Sequence, residues 1–107
     1  MTSKPIVPRE LARQDIDQAI GYYLVEAGAD VAMGFIDSLE NAYGALADFP
    51  KGGSPRFAHE LNLPGLRSWQ LEGYRYLVFY MELDDKIDVW RVLHARRDIY
   101  THVVDTD

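Results

Sequence analysis

The stretch VWRVLHARRDIY, Val89 to Tyr100, ends an apolar run in a histidine, two adjacent arginines and an aspartate. His94, with an ordinary pKa of about 6.5, can in principle exchange a proton near neutrality. Arg96 and Arg97 can hold a phosphate or carboxylate, and Asp98 can pair with either. Such a set does chemistry only beside a nucleophile or an activated water, and the sequence places none nearby. His59, His94 and His102 are too scattered for metal-ligand spacing, and no histidine follows His94 at i+2 or i+4. Gly52-Gly53 lacks a following Lys-Ser/Thr, so no phosphate cradle is present. His94 therefore reads as a structural stop, its ring bonded to backbone or to Asp98, or as an acid–base group lacking its partners. Arg96, Arg97 and Asp98 read as a solvated strand end or as a surface docked against another protein.

Arg75 and Arg91 sit in otherwise apolar strand patterns. An isolated charge there is costly unless paired. Each either reaches a sheet edge, pairs with Glu72, Glu82 or Asp88, or waits for a carboxylate from an acidic partner. Trp69, Tyr76, Tyr80 and Trp90 read first as core, although aromatic residues with arginine are also the usual make-up of binding hot spots.

The elements that must position these residues follow from periodicity. Lys4 to Val7 reads as a short strand or lead-in, and Pro8 suits the first turn of a helix. Ile16, Ala19, Ile20, Tyr23, Leu24 and Ala27 recur at helical spacing. Gly28 fits the position just past that helix, and Asp30 can cap the next. Phe35, Ile36, Leu39, Tyr43 and Leu46 form a second stripe, stopped by Pro50. A helical hairpin over 8–48 is expected, then a linker loop over 50–65 rich in proline and glycine. From Leu66 the period becomes strand-like. Glu72-Gly73 and Asp84-Asp85 mark turns, which predicts an antiparallel meander over 66–94 and a C-terminal tail over 95–107. One domain spanning 1–107 results, of α+β class, with the hairpin packed on a small antiparallel sheet. That sheet is apolar on both faces. Two helices cover only one, so the other needs the loop, the tail or another polypeptide.

Composition narrows the function. A chain of 107 residues makes one ordinary domain, too short for a kinase despite the His-Arg-Asp echo. At 48% hydrophobic it is not a disordered segment. It has no cysteine, which fits a reducing cytoplasm. The leading MTSKPIVPRELARQD lacks the apolar core of a signal peptide, and no run approaches a membrane span. A net charge of −6 opposes a domain whose main task is gripping phosphates. Cytoplasmic placement is expected, with no cofactor, no metal, no membrane contact and no direct nucleic-acid partner.

The motifs LRSWQLEGYRYLVFY and IDVWRVLHARRDI, with PRELARQDIDQAIGYYLVEAG and a proline-rich linker ahead of them, resemble the ParE-type toxins of the RelE/ParE toxin–antitoxin superfamily. The likeness runs from Pro8 to Ile99, and its RVLH-x-RRDI ending is the most specific part. It departs at the helix entrance, where such toxins often carry Ser-Pro and this chain has Val7-Pro8. The resemblance implies a small bacterial toxin held inactive, as a hetero-oligomer, by a cognate ParD-like antitoxin whose tail folds on binding. A wrapping antitoxin would cover the bare sheet face, through Trp69, Leu71, Arg75, Leu77, Phe79 and Arg91. Arg96, Arg97 and Asp98 would then meet the target.

ParE-like members are associated with poisoning DNA gyrase, and RelE-like members cut messenger RNA on the ribosome. Cutting RNA needs a group that activates the 2′-hydroxyl, a cation on the phosphate and a proton donor. Against the RelE-like pattern, Ser68 and Gln70 stand where lysines belong, Leu77 stands for the strand arginine, and Val103 falls near the C-terminal tyrosine. Only Arg97 matches. The expectation is a non-enzymatic inhibitor of gyrase, with no catalytic residues. The alternatives are a ribosome-dependent endonuclease and a non-toxic antitoxin-binding relic.

Overall fold

A computed structural model describes residues 3–96 and 99–104. Strand β1 (Ile6–Pro8) leads into helices α1 (Glu10–Glu26) and α2 (Ala29–Asp48). A 3-10 turn (Pro50–Gly52) and helix α3 (Arg56–Leu61) follow. Strands β2 (Leu66–Gln70), β3 (Tyr76–Glu82) and β4 (Ile87–His94) come next, and helix α4 (Ile99–Val104) ends the described chain. The sheet order is β1-β4-β3-β2, with the expected antiparallel meander joined by β1 in parallel to β4. Arg9 N–H donates to Val89 O (2.9 Å) and Ile87 N–H to Pro5 O (2.8 Å). Pro8 therefore ends an edge strand, its missing N–H turned outward, rather than opening a helix.

The helical hairpin forms as expected. Gly28, at φ +96°, ends α1 with its N–H on Tyr23 O (2.9 Å), and its own carbonyl accepts from Ala32 (3.2 Å) in α2. That left-handed turn favours glycine. Asp30 lies within the first turn of α2 and makes no capping bond; Gly28 holds the cap position. The buried side of α1 is Ala12, Asp15 and Ala19, flanked by Ile16, Ile20 and Tyr23, while Leu24 and Ala27 of the expected stripe are exposed. Small residues let α1 lie close on β4. Phe35, Leu39 and Leu46 of α2 complete a core with Val78, Tyr80, Ile87, Val89 and Val92.

The 50–65 segment is not only a connector. Its α3 lies on β2, and Phe57 joins Leu66, Phe79, Leu93, Ile99 and Val103 in a second core on the other sheet face. The chain thus closes that face itself, with α3 and α4. The turn before α3 is anchored by Tyr80, whose hydroxyl donates to Pro50 O (2.8 Å) and accepts from Gly53 N–H (2.9 Å). A Cβ on Gly53 would run into that hydroxyl.

Among the described residues one buried side-chain group is left over. The Tyr43 hydroxyl is enclosed without a hydrogen-bond partner, and burial pushes its pKa up to about 12. A raised tyrosine pKa favours the folded state's protonated form, so stability falls as pH rises above the unfolded value of 10.0. Tyr43→Phe is expected to gain about 1 kcal/mol at neutral pH, by removing an unsatisfied hydroxyl, and to lessen the alkaline loss in urea titrations at pH 7 and 11. Phe57→Ala should cost about 3–5 kcal/mol by emptying the second core. Phe49→Ala, at a side chain 68% exposed, should stay within about 0.5 kcal/mol. Equal urea midpoints for the two phenylalanine variants would return the 50–65 segment to a mere connector.

Candidate functional site

β1 runs beside β4 only from Ile87 to Val89. Beyond that point no strand among the described residues covers the edge of β4, and a side chain takes the strand's place. Asp15 of α1 accepts from the Val92 N–H (3.0 Å). Its two oxygens also take Nε and Nη2 of Arg91, at 2.7 Å each. Nη1 of Arg91 reaches the His102 carbonyl of α4 at 3.0 Å. Both side chains are nearly sealed from solvent, so each charge depends on the other. The hydrogen bonds that Arg91 donates to Asp15 hold the guanidinium pKa above its ordinary value, against the opposing effect of burial.

A bulge makes this reach possible. Pairing passes from Phe79↔Arg91 to Tyr80↔Val89, so Trp90 is the extra residue on β4. The alternation shifts there, and Leu93 joins the second core although Ile87 and Val89 face the first. Trp90 is itself half-buried. Its Nε1–H donates to Asp88 (3.2 Å), Asp88 accepts two bonds from Arg9, and the Arg9 guanidinium lies 4.4 Å from the indole centre. Lys4 pairs with Glu82 at 2.8 Å, which lowers the glutamate pKa. Arg91 therefore pairs with none of the acids expected of it from sequence. Asp15 was missed, although it falls on the helical spacing of Ala12 and Ala19, where a buried acid calls for a cation.

Between α1 and the end of β4 lies a groove of about 460 Å³. Asp15, Ala19 and Val92 lie deepest by burial. Tyr22, Tyr23 and Tyr76 line it together with Gln18, and His94 and Arg96 stand at the strand end. Tyr76 and His94 face each other across β3 and β4 with ring centres 5.2 Å apart, edge to face. His94 Nδ1 accepts from Arg96 N–H at 3.1 Å. The histidine is thus held in place by its own chain, its ring packed on Tyr76.

The other residues singled out by sequence are spread across the molecule. Leu71 lies in the first core and Phe79 in the second, and Arg91 is spent on Asp15. All three are buried in the chain on its own. Leu77 is half-buried against the second core, and Trp69 borders a shallow hollow with Asn41 and Gln70. Arg75 is exposed in the turn before β3 rather than inside a strand. Arg97 and Asp98 lie outside the described residues. Among the described residues no group of histidine, aspartate and glutamate side chains is arranged to hold a metal ion.

Residues 6–99 match the family model described as the ParE toxin of the type II toxin–antitoxin system, parDE. Among solved structures, a chain from the chromosomal ParDE TA system of P. aeruginosa is similar, with a TM-score of 0.71. It is 18% identical, over 86% of this chain and 96% of that one; at this identity the likeness speaks for the fold alone. No curated protein matches the chain.

The ion pair at the groove's base yields a direct test. Asp15→Asn keeps an acceptor for Val92 but leaves Arg91 uncompensated, and should cost about 3–5 kcal/mol. Adding Arg91→Met removes the stranded charge and should restore part of that loss in urea unfolding. A double variant less stable than Asp15→Asn would contradict the assignment.

Proposed function

The chain belongs to the ParE toxin family of type II toxin–antitoxin systems, and from that premise we propose that it poisons DNA gyrase by binding it. It carries out no reaction of its own and is silenced by a cognate ParD-like antitoxin in the cytoplasm. The supporting observation is where the arginines go. A nuclease needs fixed cations against a scissile phosphate. Here Arg91 is consumed by Asp15, and Arg67 donates to the Gly53 carbonyl at 2.8 Å. Ser68, at a position where lysine is expected in RelE-like nucleases, is tied by its backbone to Ser54, and Leu77 is packed on the second core. What remains accessible at the strand end is tyrosine surface with Arg96, the composition of a protein-binding hot spot. Among the described residues no helix is long and apolar enough to cross a membrane.

The endonuclease reading draws on one feature, the gathering of His94, Arg96 and three tyrosines in a single groove. Two assays separate the readings. Purified chain should inhibit gyrase supercoiling in a saturable manner, and transcripts mapped after induction should remain intact. Unaffected supercoiling with transcripts cut in a ribosome-dependent pattern would reverse the assignment.

A further inference from the structure

The groove between α1 and the end of β4 has the size of a ligand site, within the range of roughly 300–1,000 Å³ that such sites occupy. Its chemistry is one-sided. Asp15 is the acid in it, and both its oxygens are already engaged by Arg91 and the Val92 N–H. What the groove offers a visitor is therefore the surface of Tyr22, Tyr23 and Tyr76, with Arg96 beside it. Arg75 lies at the rim rather than in the lining: its carbonyl accepts from the N–H of Ala95, the residue before Arg96, at 2.8 Å. Among the described residues Lys4, Arg9, Arg56 and Arg91 are ion-paired; Arg13, Lys51, Arg67, Arg75, Lys86 and Arg96 are not, and of these Arg96 lines the groove. Apolar surface continues out of the groove along α1. Tyr22 is 60% exposed and Val25, one turn on, is 82% exposed.

We propose that this groove seats a segment of the antitoxin that presents an apolar side chain flanked by a carboxylate. The inference rests on the antitoxin reading above. The apolar side chain would lie among the tyrosines and the carboxylate would meet Arg96 and Arg75. Charge argues for this place in particular. A chain of net charge −6 repels an acidic segment over most of its surface, and here Arg96, outside the ion pairs, lines an apolar groove with Arg75 in the turn beyond its rim. The arrangement also orders the contributions: desolvated tyrosine contact supplies most of the affinity, and the arginines supply orientation and on-rate.

The probe is the purified product of the reading frame beside this chain's own, titrated calorimetrically into the full chain near physiological salt. Arg75→Glu/Arg96→Glu and, separately, Tyr22→Ala alter exposed side chains, and circular dichroism checks that each variant folds. Each should raise Kd by roughly tenfold or more. Arg56→Glu/Lys86→Glu makes the same charge change elsewhere and should leave Kd within about threefold, because distant surface charge acts mainly through screened long-range fields. Normal binding by both groove variants would overturn the seat while leaving the antitoxin reading intact. No binding by the unaltered chain would overturn that reading, and the seat with it.

Discussion

The fold depends on how the uncovered half of β4 is finished. A central strand that lost its neighbour after three residues would leave backbone donors facing either water or apolar side chains, and the second case is costly. Asp15 resolves this by taking the Val92 N–H, and its charge then requires Arg91. Arg91 in turn ties α4 through the His102 carbonyl. One carboxylate thus couples the helical hairpin, the sheet and the C-terminal helix. Such a pair adds little net stability over apolar packing, but it tolerates few alternative arrangements. The pair ties α1 to β4 at Arg91 and Val92, and the groove beside it is built on that contact.

The closing of the second sheet face changes the picture of partner binding. An apolar face left bare would invite a wrapping polypeptide. Phe57 from α3, with Ile99 and Val103 from α4, already fills it. Exposed apolar side chains cluster instead at the outer end of α1, at Tyr22, Leu24 and Val25, besides Val7, Met33 and Phe49 elsewhere. For a family that works through protein partners, this moves the expected contact from the broad sheet to a narrow groove at its edge.

Much of this was legible in the sequence. The two helical stripes, the glycine between them and the three meander strands stand where periodicity and turn residues put them. Local signals sufficed there. The features that were not legible are non-local or short. α3 spans only six residues, flanked by prolines and glycines that also signal loops. β1 pairs with a strand some 80 residues on, and its proline suits a helix start equally well. The bulge at Trp90 depends on pairing geometry that alternation cannot reveal. The partner of Arg91 lies 76 residues away in sequence, so nearby acids were the natural candidates. Leu71 and Phe79 read as interface because both sheet faces are apolar; the residues do not say which face the chain covers itself. Arg97 and Asp98, the end of the opening motif, lie outside the described residues.

In the proposed complex the antitoxin occupies the α1–β4 groove while α3 and α4 stay in place over the second face. Hydrogen–deuterium exchange of the chain, free and antitoxin-bound, tests it directly. Amides from Gln18 to Val25 and at the end of β4 should gain protection, and those of α3 and α4 should be unchanged. Faster exchange across Ile99–Val104, with new protection at Leu77 and Phe79, would show α4 displaced and the sheet face, not the groove, as the interface.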